Sequence, residues 1–290
     1  MYVILGATGQ VGSNALKTLR ERQPDAQIRI VARHRPDGLE ERIEWHAADV
    51  MHDVATLASA FRGAAAVFVM NPVPPDAEDV DDDAAKISAT IAAAIEQAGR
   101  PRVVALSSQG AHLPEGTGVI TALHHFEQAL RSTGAPLTCV RSTFFMESWL
   151  PFAVAAMETG QWWAMRDPPD IQDSAVSARD VGAVVAECLL DAASPDIINV
   201  TSAHKYSENE AAQIFASLCG RNIEVVSVPA AERAYVLEGA GLGESYAAAL
   251  AEMYGALDQG RVPFQAAPDT RYGTTPLEEV LRTMVAHTPG

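Results

Sequence analysis

Cysteine is scarce in this 290-residue chain: Cys139, Cys188 and Cys219 stand far apart and form no C-x-x-C pair. An odd, scattered set of this kind excludes a disulfide framework and a zinc site, and reads as three buried thiols in a reducing compartment. Positive charge is also short. Lys and Arg number 21 against 37 Asp and Glu, a net charge of −16. Such a surface repels phosphate backbones and anionic membranes, so nucleic acid is excluded as a general partner and any phosphate-bearing ligand needs a local site. No apolar run approaches the ~18 residues of a membrane span, and no basic leader precedes the strand-like run Tyr2–Leu5. The expectation is a cytoplasmic protein without a membrane partner. The acidic run Pro74–Asp83 (PPDAEDVDDD) reads as a solvated loop entering a helix, whose positive N-terminal end suits acids, rather than as a metal site.

What the sequence has in abundance is alternation. Apolar runs at Tyr2–Leu5, Gln27–Ala32, Ile43–Ala48, Ala65–Met70, Val103–Leu106 and Leu137–Arg141 read as strands. Between them lie helical stripes: Val11, Ala15 and Leu19; Val54, Leu57 and Phe61; Ile87, Ile91 and Ile95; and the segment Leu123–Arg131. The pattern predicts an α/β fold, a Rossmann-like doubly wound parallel sheet over residues 1–145, with residues 175–202 returning to it. Residues 146–290 are expected mainly to form a smaller α/β substrate lobe over the carboxyl edge of the sheet. That half contains helices at Asp180–Leu190, Ser207–Cys219 (with the capping box Ser207/Glu210) and Ala230–Leu257, broken at residues 239–243, and a last helix over Thr275–Val285.

One turn carries chemistry. Gly6, Gly9 and Gly12 give G-x-x-G-x-x-G between the first strand and the first amphipathic helix, the context a dinucleotide-binding turn requires. The glycines permit a tight turn and close backbone approach, and the diphosphate then sits on the free N–H groups of the helix N-terminus. The second strand ends Ala32-Arg33-His34-Arg35, with no acid for a ribose 2′-hydroxyl and two arginines suited to a 2′-phosphate. NADP(H) is therefore the expected cofactor, ahead of NAD(H). Asp49 and Val50 follow the third strand, where an adenine ring would lie.

These pieces, taken in order, resemble the NmrA-like branch of the atypical short-chain dehydrogenase/reductase superfamily. GATGQVG, VARHR and ADV are followed by HHFEQALRSTGAPLTCVRSTFFMES (His124–Ser148), VSARDVGAV (Val176–Val184) and TRYGTTPLEEVL (Thr270–Leu281). The resemblance implies that Gly6, Thr8, Gly9, Gln10, Val11 and Gly12 take the diphosphate, Arg33 the 2′-phosphate, and Asp49 and Val50 the adenine. It places Met70, Asn71 and Pro72 at the ribose, and Ser107 and Phe144 at the nicotinamide. It also spans quinone reductases, aromatic-compound reductases and non-catalytic NADP-binding regulators, so the fold leaves the activity open.

The pair that usually supplies the proton in the wider superfamily, Tyr-x-x-x-Lys, is missing. Lys17, Lys86 and Lys205 are all the lysines present, and none has a Tyr four residues before it. Registering the family's helix on Glu127 puts Leu123 where many members keep a lysine. His124 and His125 beside it are candidate proton donors, or else helix-start caps; His112 is a further candidate. Ser108 either orients a carbonyl or ends a strand. A quinone needs less help, because its reduced oxygens take protons from water after hydride transfer. The cluster Phe144, Phe145, Met146, Trp149, Phe152, Trp162, Trp163 and Met165 divides between pocket lining and core. The leading expectation is an NADPH-dependent oxidoreductase acting on a quinone or a conjugated or aromatic carbonyl, with a small apolar substrate and a monomer or homodimer as its state. A non-catalytic NADP(H)-sensing regulator with a protein partner, and a non-redox isomerase or cyclase, are the alternatives.

Overall fold

The computed structural model of the protein describes residues 1–285. In chain order the first half comprises β1 (Tyr2–Leu5), α1 (Gln10–Arg22), β2 (Ile28–Ala32), β3 (Ile43–Ala47), α2 (Val54–Phe61), β4 (Ala66–Val69), α3 (Val80–Gln97), β5 (Arg102–Ser108), α4 (Val119–Ser132) and β6 (Leu137–Ser142). The second half comprises β7 (Phe144–Phe145), α5 (Leu150–Thr159), β8 (Gln161–Ala164), β9 (Asp173–Val176), α6 (Ala178–Leu190), β10 (Ile197–Ser202), β11 (Lys205–Tyr206), α7 (Glu208–Cys219), β12 (Glu224–Ser227), α8 (Arg233–Gly239), α9 (Glu244–Asp258), β13 (Asp269–Gly273) and α10 (Leu277–Val285).

Eight strands form one sheet in the order β13-β10-β6-β5-β4-β1-β2-β3, and every pairing in it is parallel. Parallel strands need crossovers, and helices cover both faces. Neighbouring residues on each strand serve opposite layers. Ile4, Phe68 and Val104 pack with Val11, Ala15 and Leu19 of α1 and Val181, Val185 and Leu189 of α6. Val3, Leu5, Val67, Val69, Val103 and Ala105 pack with Leu57 and Phe61 of α2, Ile87 and Ile91 of α3, and Phe126 and Leu130 of α4. Each of the Val, Ile, Leu and Phe side chains contributes about 1.5–3 kcal/mol by leaving water, which is why the apolar runs decide where the strands fall.

The remaining elements pack around two further cores. Trp149, Trp162 and Phe215 join Leu277 and Leu281 in one, and Met165, Leu237, Met253 and Tyr254 form the other. A buried ionic cluster ties this part together. Arg166 bonds Asp173 and also reaches Asp258 through Nε at 2.8 Å, while Arg233 Nη2 donates to Asp258 Oδ2 at 2.5 Å. The Arg166 amide donates to Glu208 Oε2 at 3.1 Å. Burial pushes the Glu208 carboxyl up to about 7.

The start of α9 is fixed to the acidic loop: Gly243 N–H donates to Pro75 O at 2.9 Å, and Val80 N–H to Ser245 Oγ at 3.0 Å. Asp79 in that loop caps α3 through Asp81 and Asp82 N–H. Two of the three thiols, Cys139 and Cys188, are buried; Cys219 is only half-buried and lies against Met157 Sδ at 3.3 Å. No described helix is long and apolar enough to cross a membrane, and among the described residues no cluster of His, Cys, Asp or Glu could hold a metal ion.

Candidate active site

In an all-parallel sheet the carboxyl ends of the strands share one edge. Strand order reverses between β1 and β4, and the crevice above such a switch point is where open α/β sheets bind ligands. Gly6 follows β1 there with φ +72°, and a Cβ on it would sit 2.8 Å from Met70 Sδ. A Cβ on Gly12 would lie 2.2 Å from Gly6 O, so only glycine lets α1 start this close to the turn. Gly9 N–H donates to Gly6 O at 3.0 Å. Thr8, Gly9 and Gln10 are exposed; Val11 is buried in the core and offers the crevice only its backbone. The first turn of α1 has neither an acid nor a side-chain cap. Its free N–H groups therefore face the crevice without a competing anion.

Along the same edge, Arg33 and Arg35 after β2 are exposed and make no ion pair or hydrogen bond with any described residue. Asp49 is exposed too, but its Oδ1 already accepts the Met51 N–H at 2.8 Å, and Val50 is half-buried against the core. Asn71 after β4 donates through Nδ2 to Ala84 O and to Ser88 Oγ, both at 3.0 Å, which leaves Oδ1 buried and unpaired. Pro72 beside it is exposed.

A cavity of about 820 Å³ opens onto the ends of β4, β5 and β6. Of the residues expected at the cofactor, Met70, Asn71, Ser107 and Phe144 line it, as does Ser108. Phe145, Phe152 and Trp163 add aromatic wall, and Val236, Leu237 and Leu242 close it from the α8–α9 side. The aromatic segment thus divides: Phe144, Phe145, Phe152 and Trp163 line the cavity, whereas Met146, Trp149, Trp162 and Met165 are buried core.

Beneath Ser107 lies a buried polar network that pattern reading passed over. The Ser107 hydroxyl donates to Glu127 Oε1 at 2.6 Å, and Arg141 grips Glu127 twice, at 2.7 and 2.6 Å. Arg141 Nη1 also donates to Gln265 Oε1 at 2.7 Å. Burial opposes the Glu127 charge, but the bonds from Arg141 and Ser107 prevail and hold its pKa below the ordinary glutamate value. The signal was present in the sequence: an acid on the apolar face of one helix and a base inside an apolar strand imply a buried pair.

The histidines lie elsewhere. Leu123 lines the cavity, but neither His124 nor His125 does. His124 Nδ1 is 2.9 Å from Ala111 O, which ties α4 to the preceding loop, and His125 is exposed. Burial, aided by Arg141, lowers the His112 pKa, and its Nδ1 is buried without a partner. The hydroxyl-bearing residues that line the cavity, besides Ser107 and Ser108, are Ser142, Thr143, Ser148, Tyr246 and Tyr254. Thr143 Oγ1 is buried and unpaired.

The pattern of the NmrA-like family matches residues 2–265. The chain belongs to the NmrA-like family. Within reach of this NmrA-like protein is the NAD(P)H azoreductase of Xenophilus azovorans, 27% identical over 257 residues, or 88% of this chain and 86% of the relative. The triphenylmethane reductase of Citrobacter sp. superposes with a TM-score of 0.81 at 20% identity, covering 98% of this chain and 99% of that one. The NADPH-dependent quinone oxidoreductase QOR2 of Escherichia coli, complexed with NADPH, gives 0.79 at 22% identity, covering 98% and 100%. At these identities the two solved structures establish the shared fold of the NmrA-like chain.

Proposed function

We propose that this protein is an NADPH-dependent reductase of flat, aromatic acceptors, quinones and conjugated or aromatic carbonyls foremost. The observation that carries the reading is the large, mainly apolar cavity at the carboxyl edge of the sheet, where Met70 stands between it and Gly6 of the glycine turn. A cavity of this size lined by Phe144, Phe145, Phe152 and Trp163 suits a flat apolar ring, and a regulator that only senses NADP(H) has no use for it. Reductase activity in the curated azoreductase relative supports the same class.

The residues present fit the cofactor. A Cβ on Gly6 or Gly12 would crowd the cradle, the first turn of α1 is open to a diphosphate, and Arg33 and Arg35 stand free for a 2′-phosphate. When bound, NADPH supplies a hydride. The chain supplies position: Asn71 would border the ribose, Ser107 the nicotinamide and Ser108 the acceptor, and the aromatic walls stack the acceptor and exclude water.

Mixing the protein with NADPH and a panel of quinones, azo dyes and aromatic aldehydes tests the reading through loss of the NADPH absorbance. Turnover on at least one flat acceptor is expected. Tight NADPH binding with no turnover on any of them would overturn it.

A further inference from the structure

Helix α9 turns Tyr246, Leu250, Met253 and Tyr254 to the cavity. Leucine and methionine there need no explanation; the tyrosines do. Tyr254 is 4% exposed and Tyr246 is half-buried, yet neither hydroxyl hydrogen-bonds to any described residue. Neither oxygen is among the buried unpaired atoms, so each is open to water and free to exchange it for another partner. Both hydroxyls make sense if their partner arrives with a ligand.

The chemistry of that partner follows from the surroundings. Burial raises the pKa of both phenols, and for Tyr254 the nearby Glu208 and Asp173 carboxylates add to it. Both therefore remain neutral donors around neutral pH. Phe144 approaches Tyr254 at 6.4 Å between ring centroids, so the phenol edges an aromatic slot. Asn71, Ser107, Ser108, Ser142 and Thr143 on the same wall come from the strand ends that the cofactor would follow.

We propose that Tyr246 and Tyr254 hydrogen-bond the electron-accepting oxygen or nitrogen of a flat aromatic substrate, in place of the missing Tyr-x-x-x-Lys pair. The assignment rests on the reductase reading above. On reduction the acceptor gains the hydride, its ring or double bond is reduced, and NADPH leaves as NADP⁺. Negative charge grows on the acceptor atom, where two neutral donors strengthen their hold. Both phenols keep their protons; the neutralising proton comes from water.

Tyr246→Phe, Tyr254→Phe and the double variant test this, because each removes an oxygen that bonds to nothing in the protein. All should keep wild-type circular dichroism and NADPH affinity. Each single change should lower kcat at least about 10-fold with a smaller change in KM. An independent readout needs no cofactor: the carbonyl stretch of protein-bound 1,4-naphthoquinone should lie lower in the wild type than in the double variant. Equal frequencies, or no quinone binding by the wild type, would overturn the assignment. So would unchanged kcat in the variants when the wild type does turn over. A frequency shift without any NADPH oxidation would instead overturn the reductase reading and leave the tyrosines as an acceptor-binding pair.

Discussion

At the scale of single residues, Gly12 and Arg33 make opposite kinds of prediction. Gly12→Ala would press a methyl group against Gly6 O at 2.2 Å and Gly6 C at 2.8 Å, both backbone atoms that cannot move aside alone. The expected cost is about 2–3 kcal/mol of stability, seen as a lowered Tm, together with loss of NADPH binding in a fluorescence titration. Arg33→Ala disturbs nothing in the fold, since Arg33 is exposed and unpartnered. It should weaken NADPH by at least about 10-fold, or 1.4 kcal/mol, while leaving NADH unchanged; equal losses for both would show that Arg33 does not read the 2′-phosphate. Both residues were legible in the sequence because their meaning is local: a glycine spacing beside an apolar run, and a base where an acid usually stands. Tyr246 and Tyr254 were not legible. They sit more than a hundred residues from the strand ends they face, and nothing in the helix that bears them names its partner.

Elements extend the same lesson. The six strands of the first half were readable to within a residue or two, because most of them are apolar runs buried on both faces. Two strands of the second half were not. Lys205–Tyr206 and Asp269–Gly273 have no apolar run at all, and only pairing with β9 and β10 makes them strands. The last helix begins at Leu277, one residue after Pro276 rather than ahead of it. The Glu127–Arg141 pair joins α4 to β6 and, through Ser107, to β5. Glu127→Ala leaves a guanidinium buried without its carboxylate, and should cost about 3–5 kcal/mol in denaturant unfolding. Pairing Glu127→Leu with Arg141→Met should recover much of that loss, since neither charge is then stranded.

For the molecule as a whole, the buried ionic cluster predicts a dependence of stability on pH. The ordinary glutamate value is 4.5, and burial raises that of Glu208 to about 7. The folded state therefore holds this proton more tightly than the unfolded chain. The resulting stabilisation is fully present below pH 4.5 and is lost as pH rises through 7. Between pH 5 and 8 the wild type should lose stability relative to Glu208→Gln, by an amount on the order of 2 kcal/mol. Thermal unfolding of both proteins across that range measures it; parallel curves would show that Glu208 does not titrate there. The strand–helix alternation made the sheet foreseeable at this scale, but not the cavity, whose far wall is assembled by α8 and α9 through contacts between distant segments.

The sheet order bears on how the chain must be made. Residues reach the ribosome exit in sequence, yet β6 has β5 on one side and β10 on the other, and β10 in turn waits for β13. Until residues near Gly273 emerge, the nascent sheet has an apolar strand with an open edge, and α1 lacks the cover of α6 until residues near Leu190 emerge. Unpaired strand edges recruit other strands. Slowed elongation or a stop codon before β10 would therefore yield an aggregating species rather than a free-standing nucleotide-binding fragment.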